Sequence, residues 1–115
     1  MEKIKKDRRA VDLKSGALDL TGLIKIQDGA VVSREIISQK TGTVTVFSFD
    51  TGQGLSEHTA PFDALVIDLE GEVNITISGH AHRLSKGQFI IMPAGKPHAL
   101  KAVTPFKMLL VMIRS

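Results

Sequence analysis

The residues able to do chemistry in this 115-residue chain are few: four histidines, His58, His80, His82 and His98, twelve carboxylates and no cysteine. Without a thiol, disulfide frameworks, zinc ribbons and cysteine nucleophiles are excluded, and any metal would have to be held by imidazole, carboxylate or water. Imidazole titrates near neutrality, so it can ligate a metal, abstract a proton or hydrogen-bond a ligand. His80 and His82 sit beside the Gly79 turn. Histidine-x-histidine puts both rings on one face of a regular strand, but turn-adjacent histidines are usually exposed. No serine stands in a nucleophile motif, and Gly52-Gln53-Gly54 opens toward a strand instead of a helix. Neither a Ser/His/Asp triad nor a phosphate-cradling loop is read.

These side chains must be positioned by strands. From Val31 onward, short runs rich in valine, isoleucine, threonine and phenylalanine alternate with glycine-containing turns. The pattern predicts strands over 31–38, 43–49, 64–69, 72–77, 82–84, 89–92, 98–102 and 107–113. Turn signals fall between them at Lys40-Thr41-Gly42, 50–54, Glu70-Gly71, Ser78-Gly79, Lys86-Gly87 and 93–97. Many short strands at close spacing indicate an all-β sandwich or barrel. Residues 1–30 form a separate N-terminal segment in which 18–26 reads equally as a short helix or an edge strand, and 31–115 form the barrel. Nothing suggests a second domain at this length.

Charge is concentrated at the start. The net charge is +3, and residues 1–14 carry six basic against three acidic side chains, so the rest of the chain is neutral. A neutral body with five phenylalanines and neither tyrosine nor tryptophan offers little for base stacking, which argues against nucleic acid. The basic leader reads as a surface segment that keeps the chain soluble. Met1 to Arg9 lacks the apolar stretch of a signal peptide, and no later run reaches membrane-spanning length. A cytoplasmic protein with no membrane partner is expected.

Two stretches resemble the paired signatures of the cupin superfamily, over about residues 54–102. The first is Gly54-Leu-Ser-Glu-His58-Thr-Ala60-Pro-Phe-Asp-Ala64 running on to Gly71; the second places Gly87, Pro93, Gly95 and His98 at the family's spacing, with Ala102 in its last place. More narrowly, the run from Glu57 to Leu65 together with Phe106-Lys-Met-Leu-Leu110 is similar to small single-domain bacterial cupins. The resemblance implies an RmlC-like jelly-roll barrel, that is, a double-stranded β-helix, and a tendency to form homodimers through sheet edges or strand exchange. The N-terminal segment would supply cover for such an edge.

The resemblance also implies a ligand set of two histidines and a glutamate from the first motif plus the histidine of the second. Here His58 and His98 match, whereas Ala60 and Ala64 take the positions of the second histidine and the glutamate. Two imidazoles fall short of the three protein ligands that hold a catalytic zinc or non-haem iron, so the metal site reads as degenerate. Strand alternation from Ala64 puts Val66 and Asp68 on the same face, and Asp68 is a candidate pocket carboxylate. The favoured reading is nonetheless that Asp68 reaches solvent near its strand end, since a buried unpaired carboxylate is costly. Glu57 and Asp63 point away unless a bulge intervenes. Phe106, Met108, Leu110 and Met112 share one parity, and with Leu100 and Met92 they make either a soft apolar lining or a methionine-rich core without a cavity.

The expected function is a cupin that binds a small molecule in a pocket of His58, Ala60, Ala64, Val66, Asp68, His98, Leu100, Met108 and Leu110, with no assured cofactor. The alternative is an isomerase, decarboxylase or dioxygenase. It would use a divalent Zn, Ni, Mn, Fe or Cu at His58 and His98 completed by water or substrate, or a metal-free histidine base drawn from the same pair.

Overall fold

The structure, a computed structural model, describes residues 3–114. Its strands are β1 (Ile4–Lys6), β2 (Val31–Gln39), β3 (Gly42–Phe49), β4 (Gly54–His58), β5 (Ala64–Glu70), β6 (Val73–Ile77), β7 (His80–Leu84), β8 (Phe89–Met92), β9 (His98–Ala102) and β10 (Phe106–Ile113). One 3-10 turn, Thr21–Leu23, interrupts the N-terminal segment. The strands form a six-stranded sheet in the order β1-β2-β3-β10-β5-β8 and a four-stranded sheet in the order β4-β9-β6-β7. The two face each other as an all-β jelly roll. No described helix is long and apolar enough to cross a membrane.

Period-two alternation fills the interior. On the large sheet, cross-strand partners stack in rungs. Val31, Phe49 and Phe106 form one rung; Ser33, Phe47, Met108 and Asp68 the next; Thr45, Leu110, Val66 and Ile90 a third; Thr43, Met112, Ala64 and Met92 the last. On the small sheet the inward residues are Val73, Ile75 and Ile77 of β6 and His98, Leu100 and Ala102 of β9. Phe49 anchors this core, with its ring centroid 5.5 Å from that of Phe106 and 5.9 Å from that of Phe47. Turns are built for tight reversal. Ser78 and Gly79, both at positive φ, make the two-residue β6–β7 hairpin whose handedness matches the strand twist.

A second apolar cluster lies on the outside of the large sheet. Leu20, Ile24 and Ala30 of the N-terminal segment pack over Val32, Val46, Leu69 and Leu109. Polar pins hold that segment down: Ser48 Oγ donates to Lys25 O at 2.8 Å, Lys107 Nζ to Thr21 O at 2.9 Å, and Gly29 N to Asp50 Oδ2 at 2.7 Å. Buried Arg34 reaches the leader, donating to Arg9 O at 3.0 Å and lying 3.1 Å from Asp7 Oδ1. Asp7 in turn takes Arg9 Nη2 at 2.8 Å, and these guanidinium contacts hold its carboxyl below the usual range. Beyond the cover of the N-terminal segment, Ile37, Phe89, Ile91 and Ile113 remain exposed.

Two strands escape the sequence pattern. β1 is three residues long and pairs parallel with β2, with Lys6 opposite Ser33. β4 is Gly-Leu-Ser-Glu-His, with no β-branched residue, and it follows the edge of the small sheet. Tertiary pairing supplies what propensity lacks.

Candidate functional site

β4 carries the first half of the site through a bulge. Leu55 pairs with Leu100 and His58 with His98, so three steps on β4 answer two on β9, and both Leu55 and His58 face inward. The second half is set by the 93–97 turn, where Gly95 adopts φ +75°. Gly95 N donates to Ala60 O at 2.8 Å, Ala94 N to Asp63 Oδ1 at 2.8 Å, and Ser78 N to Pro97 O at 2.8 Å. The first two bonds tie the loop after His58 to the loop before His98, and the third ties the latter to the β6–β7 turn.

The result is a close imidazole pair. His98 Nε2 lies 3.1 Å from His58 Nε2, with ring centroids 4.4 Å apart and planes at 72°. His58 is exposed, whereas His98 is 2 % exposed. Each Nδ1 faces a backbone carbonyl, His58 on Ser56 O at 2.7 Å and His98 on Lys96 O at 3.2 Å. Two Nδ1–H tautomers would set two Nε2 lone pairs against each other. A proton on either Nε2 removes that clash and bridges the two rings. Burial, then the charge of His58, lowers the His98 pKa below that of free imidazole, against the pull of Lys96 O. The pair therefore resists holding two positive charges and is suited to donating, accepting or relaying one proton.

The histidines share one end of the barrel with the rung of Thr43, Met112, Ala64 and Met92. Only residues 59–63 separate His58 from Ala64, and only 93–97 separate Met92 from His98. A cavity of about 550 Å³ is walled by Ser33, Thr43, Thr45, Phe47, Leu110 and Met112, and neither His58 nor His98 is among its lining residues. Its charged lining is basic in sum, with Lys6, Arg8, Arg9, Arg34 and Arg114 against Asp7 and Glu35. Its wall lies on β2, β3 and β10. Of the expected pocket residues, Leu110 lines it, whereas Ala64, Val66, Leu100 and Met108 are buried in the apolar core. Ala60 sits in the loop after β4, its carbonyl taken by Gly95 N.

Asp68 does not reach solvent, contrary to the favoured reading. It is 1 % exposed, and neither carboxylate oxygen has a hydrogen-bond partner of good geometry among the described residues. Burial drives its pKa up to about 6, against the Glu70 backbone amide and with added push from Glu72. It lies four residues along β5 from Ala64, roughly 13 Å at about 3.3 Å per residue. At that end Gly87 N donates to Asp68 O. Asp68 is thus far from the histidines. His80 and His82 are exposed on the edge strand β7, Glu57 is exposed within the β4 bulge, and Asp63 is held by Ala94 N.

These positions bear on the metal that the fold implies. Among the described residues no three His, Asp or Glu side chains gather to hold an ion. Alanine offers no lone pair at 60 or 64, so the residues do not fit the family's four-ligand centre. Sequence reading also missed the basic side chains at the cavity. The one available signal was the leader's charge, whose position required knowing that β1 pairs with β2.

A family model for the cupin domain matches residues 45–113. A conserved protein of unknown function from Streptococcus pyogenes is 42 % identical, with a TM-score of 0.84 over 88 % of this chain and 89 % of its own. A cupin superfamily protein from Desulfitobacterium hafniense is 28 % identical at TM-score 0.84, covering 89 % and 94 %. A cupin 2 conserved barrel domain protein from Leptotrichia buccalis is 34 % identical at TM-score 0.82, over 84 % of this chain and 47 % of that one. No protein of curated function matches. With the family model running from within β3 to the end of β10, and that level of identity across nearly the whole barrel, this chain belongs to the cupin family.

Proposed function

We propose that this cupin is a small-molecule binding protein, with the cavity walled by β2, β3 and β10 as its ligand pocket and the His58–His98 pair as a separate polar anchor in the same barrel. The carrying observation is the cavity of about 550 Å³, whose wall mixes the hydroxyls of Ser33, Thr43 and Thr45 with Phe47, Leu110 and Met112. Such a volume suits a ligand of drug-like size, and hydroxyls on an apolar wall fix its orientation. The anchor is read as metal-free because the two Nε2 atoms, 3.1 Å apart, lie within reach of one bridging proton.

The neutral fluorescent dye N-phenyl-1-naphthylamine tests the pocket. Saturable one-to-one binding is expected, and its loss in Thr45→Trp, which fills the cavity from β3, with the β-sheet circular dichroism unchanged. Equal binding by Thr45→Trp places the dye elsewhere and overturns the assignment. Titration with Zn(II), Mn(II), Fe(II), Ni(II) and Cu(II) against His58→Ala tests the anchor. No His58-dependent affinity tighter than micromolar is expected; finding one rejects the metal-free reading.

A further inference from the structure

We infer that the pocket is selective for an amphipathic organic anion, a small molecule with a carboxylate or phosphate head and an apolar body, whose head is met by Lys6, Arg8 and Arg114. The inference rests on the reading of the cavity as the ligand pocket and adds the chemical class of what enters it.

β1 fixes the side of the sheet on which the basic leader lies. Because Lys6 pairs with Ser33, and Ser33 belongs to the inward rung of Phe47 and Met108, Lys6 stands on the cavity side of the sheet. Two residues on, Arg8 also lines the cavity. Asp7, between them, is turned to other partners: Arg9 through Nε and Nη2, and Arg34 through Nη1. Its charge is spent on those guanidinium groups. Asp7 N also donates to Ser33 O at 2.8 Å, which continues the β1 pairing by one residue.

Arg34 makes the arrangement rigid. It is 5 % exposed, borders the cavity, and grips the leader at Asp7 and at Arg9 O. A flexible basic tail would screen itself in solvent. A tail held by a buried guanidinium presents its cations at a fixed place, which lowers the ordering cost of binding. From the other side Arg114, just past β10, joins the same lining, its backbone N bonded to Thr41 O at 2.7 Å.

The charge count then decides the sign. With Asp7, Arg9 and Arg34 engaged with one another, the lining offers Lys6, Arg8 and Arg114 against Glu35 alone. Three cations around one carboxylate beside an apolar wall favour an anionic head with its body laid on Phe47, Leu110 and Met112.

The test pairs 8-anilinonaphthalene-1-sulfonate with its neutral counterpart N-phenyl-1-naphthylamine. The anion should bind at least tenfold tighter than the neutral dye. Lys6→Glu with Arg8→Glu should weaken the anion at least tenfold and the neutral dye less than twofold. Lys6→Gln with Arg8→Gln, which demands less of the fold, should weaken the anion about threefold. Octanoate or octyl phosphate should displace the anionic dye, and whichever does so better identifies the head group, while octanol should not. Equal affinities for the two dyes, indifference to charge reversal, displacement by octanol as effective as by the anions, or loss of dye binding on Ile91→Asp instead would each overturn the inference. Failure of the neutral dye to bind at all would count against the pocket itself; neutral-dye binding without anion preference would leave the pocket standing and remove only the anion.

Discussion

Asp68→Asn is the perturbation whose outcome follows most directly from the structure. Asp68 is buried at the end of the barrel away from the histidines, without a hydrogen-bond partner of good geometry among the described residues, and its pKa is pushed from 3.8 up to about 6. Below pH 3.8 the side chain is protonated in both folded and unfolded chains, and burial carries no ionic penalty. Between 3.8 and 6 the unfolded chain releases its proton first, so stability falls as pH rises. Above 6 both states are ionised and the penalty is complete. At about 1.4 kcal/mol per pKa unit, that penalty is at most about 3 kcal/mol. Asparagine mimics the neutral acid at every pH. Its amide hydrogens carry their own desolvation cost, about 1–3 kcal/mol if unmatched, but that offset does not change with pH. The stability of Asp68→Asn minus that of the parent should therefore grow by about 3 kcal/mol from pH 3.5 to pH 7.5. Urea unfolding followed by far-ultraviolet circular dichroism measures it, and the other titrating groups cancel in the difference. A difference that stays within about 0.5 kcal/mol across that range would refute the account of an unpaired buried carboxylate.

Further outcomes follow from other sites. His98 has a lowered pKa, so the folded chain gives up stability as pH falls through 6.5 toward the folded value; His98→Gln should flatten this acid limb, and imidazole proton NMR should show His98 titrating below free histidine. Gly71 and Gly79 share positive φ, +83° and +81°, but a Cβ at 71 would run into Pro105 O whereas one at 79 meets open space. Gly79→Ala should cost about 1–2 kcal/mol and Gly71→Ala at least about 2 kcal/mol more, read from unfolding midpoints.

Strands rich in β-branched residues were legible almost residue for residue: 31–38 and 43–49 correspond closely to β2 and β3, and 98–102, which has none, was legible from the flanking turn residues as β9. β2 and β3 are buried on both faces where the N-terminal segment covers them, so their valine-, isoleucine- and phenylalanine-rich runs are their signal. β4 carried no such signal, since its polar residues occupy a bulged edge and its pairing is imposed by β9. The place of His98 was legible through turn residues in register, because Gly87, Pro93 and Gly95 set the approach to it. Asp68 was misread for an energetic reason: the cost of burying a carboxylate argued for solvent, and the molecule bears that cost by raising the pKa. The cavity's basic lining was illegible, because a charged leader looks the same whether it frays or is held by a buried arginine nearly 30 residues away in sequence.

The place of β10 in the large sheet has a consequence for the order of folding. β10 lies between β3 and β5, joining strands that otherwise have no ladder to each other, although it follows every other strand in the chain. Its pairing with β3 closes a loop from Phe49 to Phe106, and the Phe49–Phe106 contact at the heart of the core forms with it. Earlier hairpins such as β2–β3 and β6–β7 can form locally, but the sheet is two unconnected halves until residues 106–113 insert. Closing so long a loop before any reward is collected is slow, which places folding in the millisecond-to-second range of high-contact-order β proteins. Until then the facing edges of β3 and β5 stand open, and the last strand is the one that seals them.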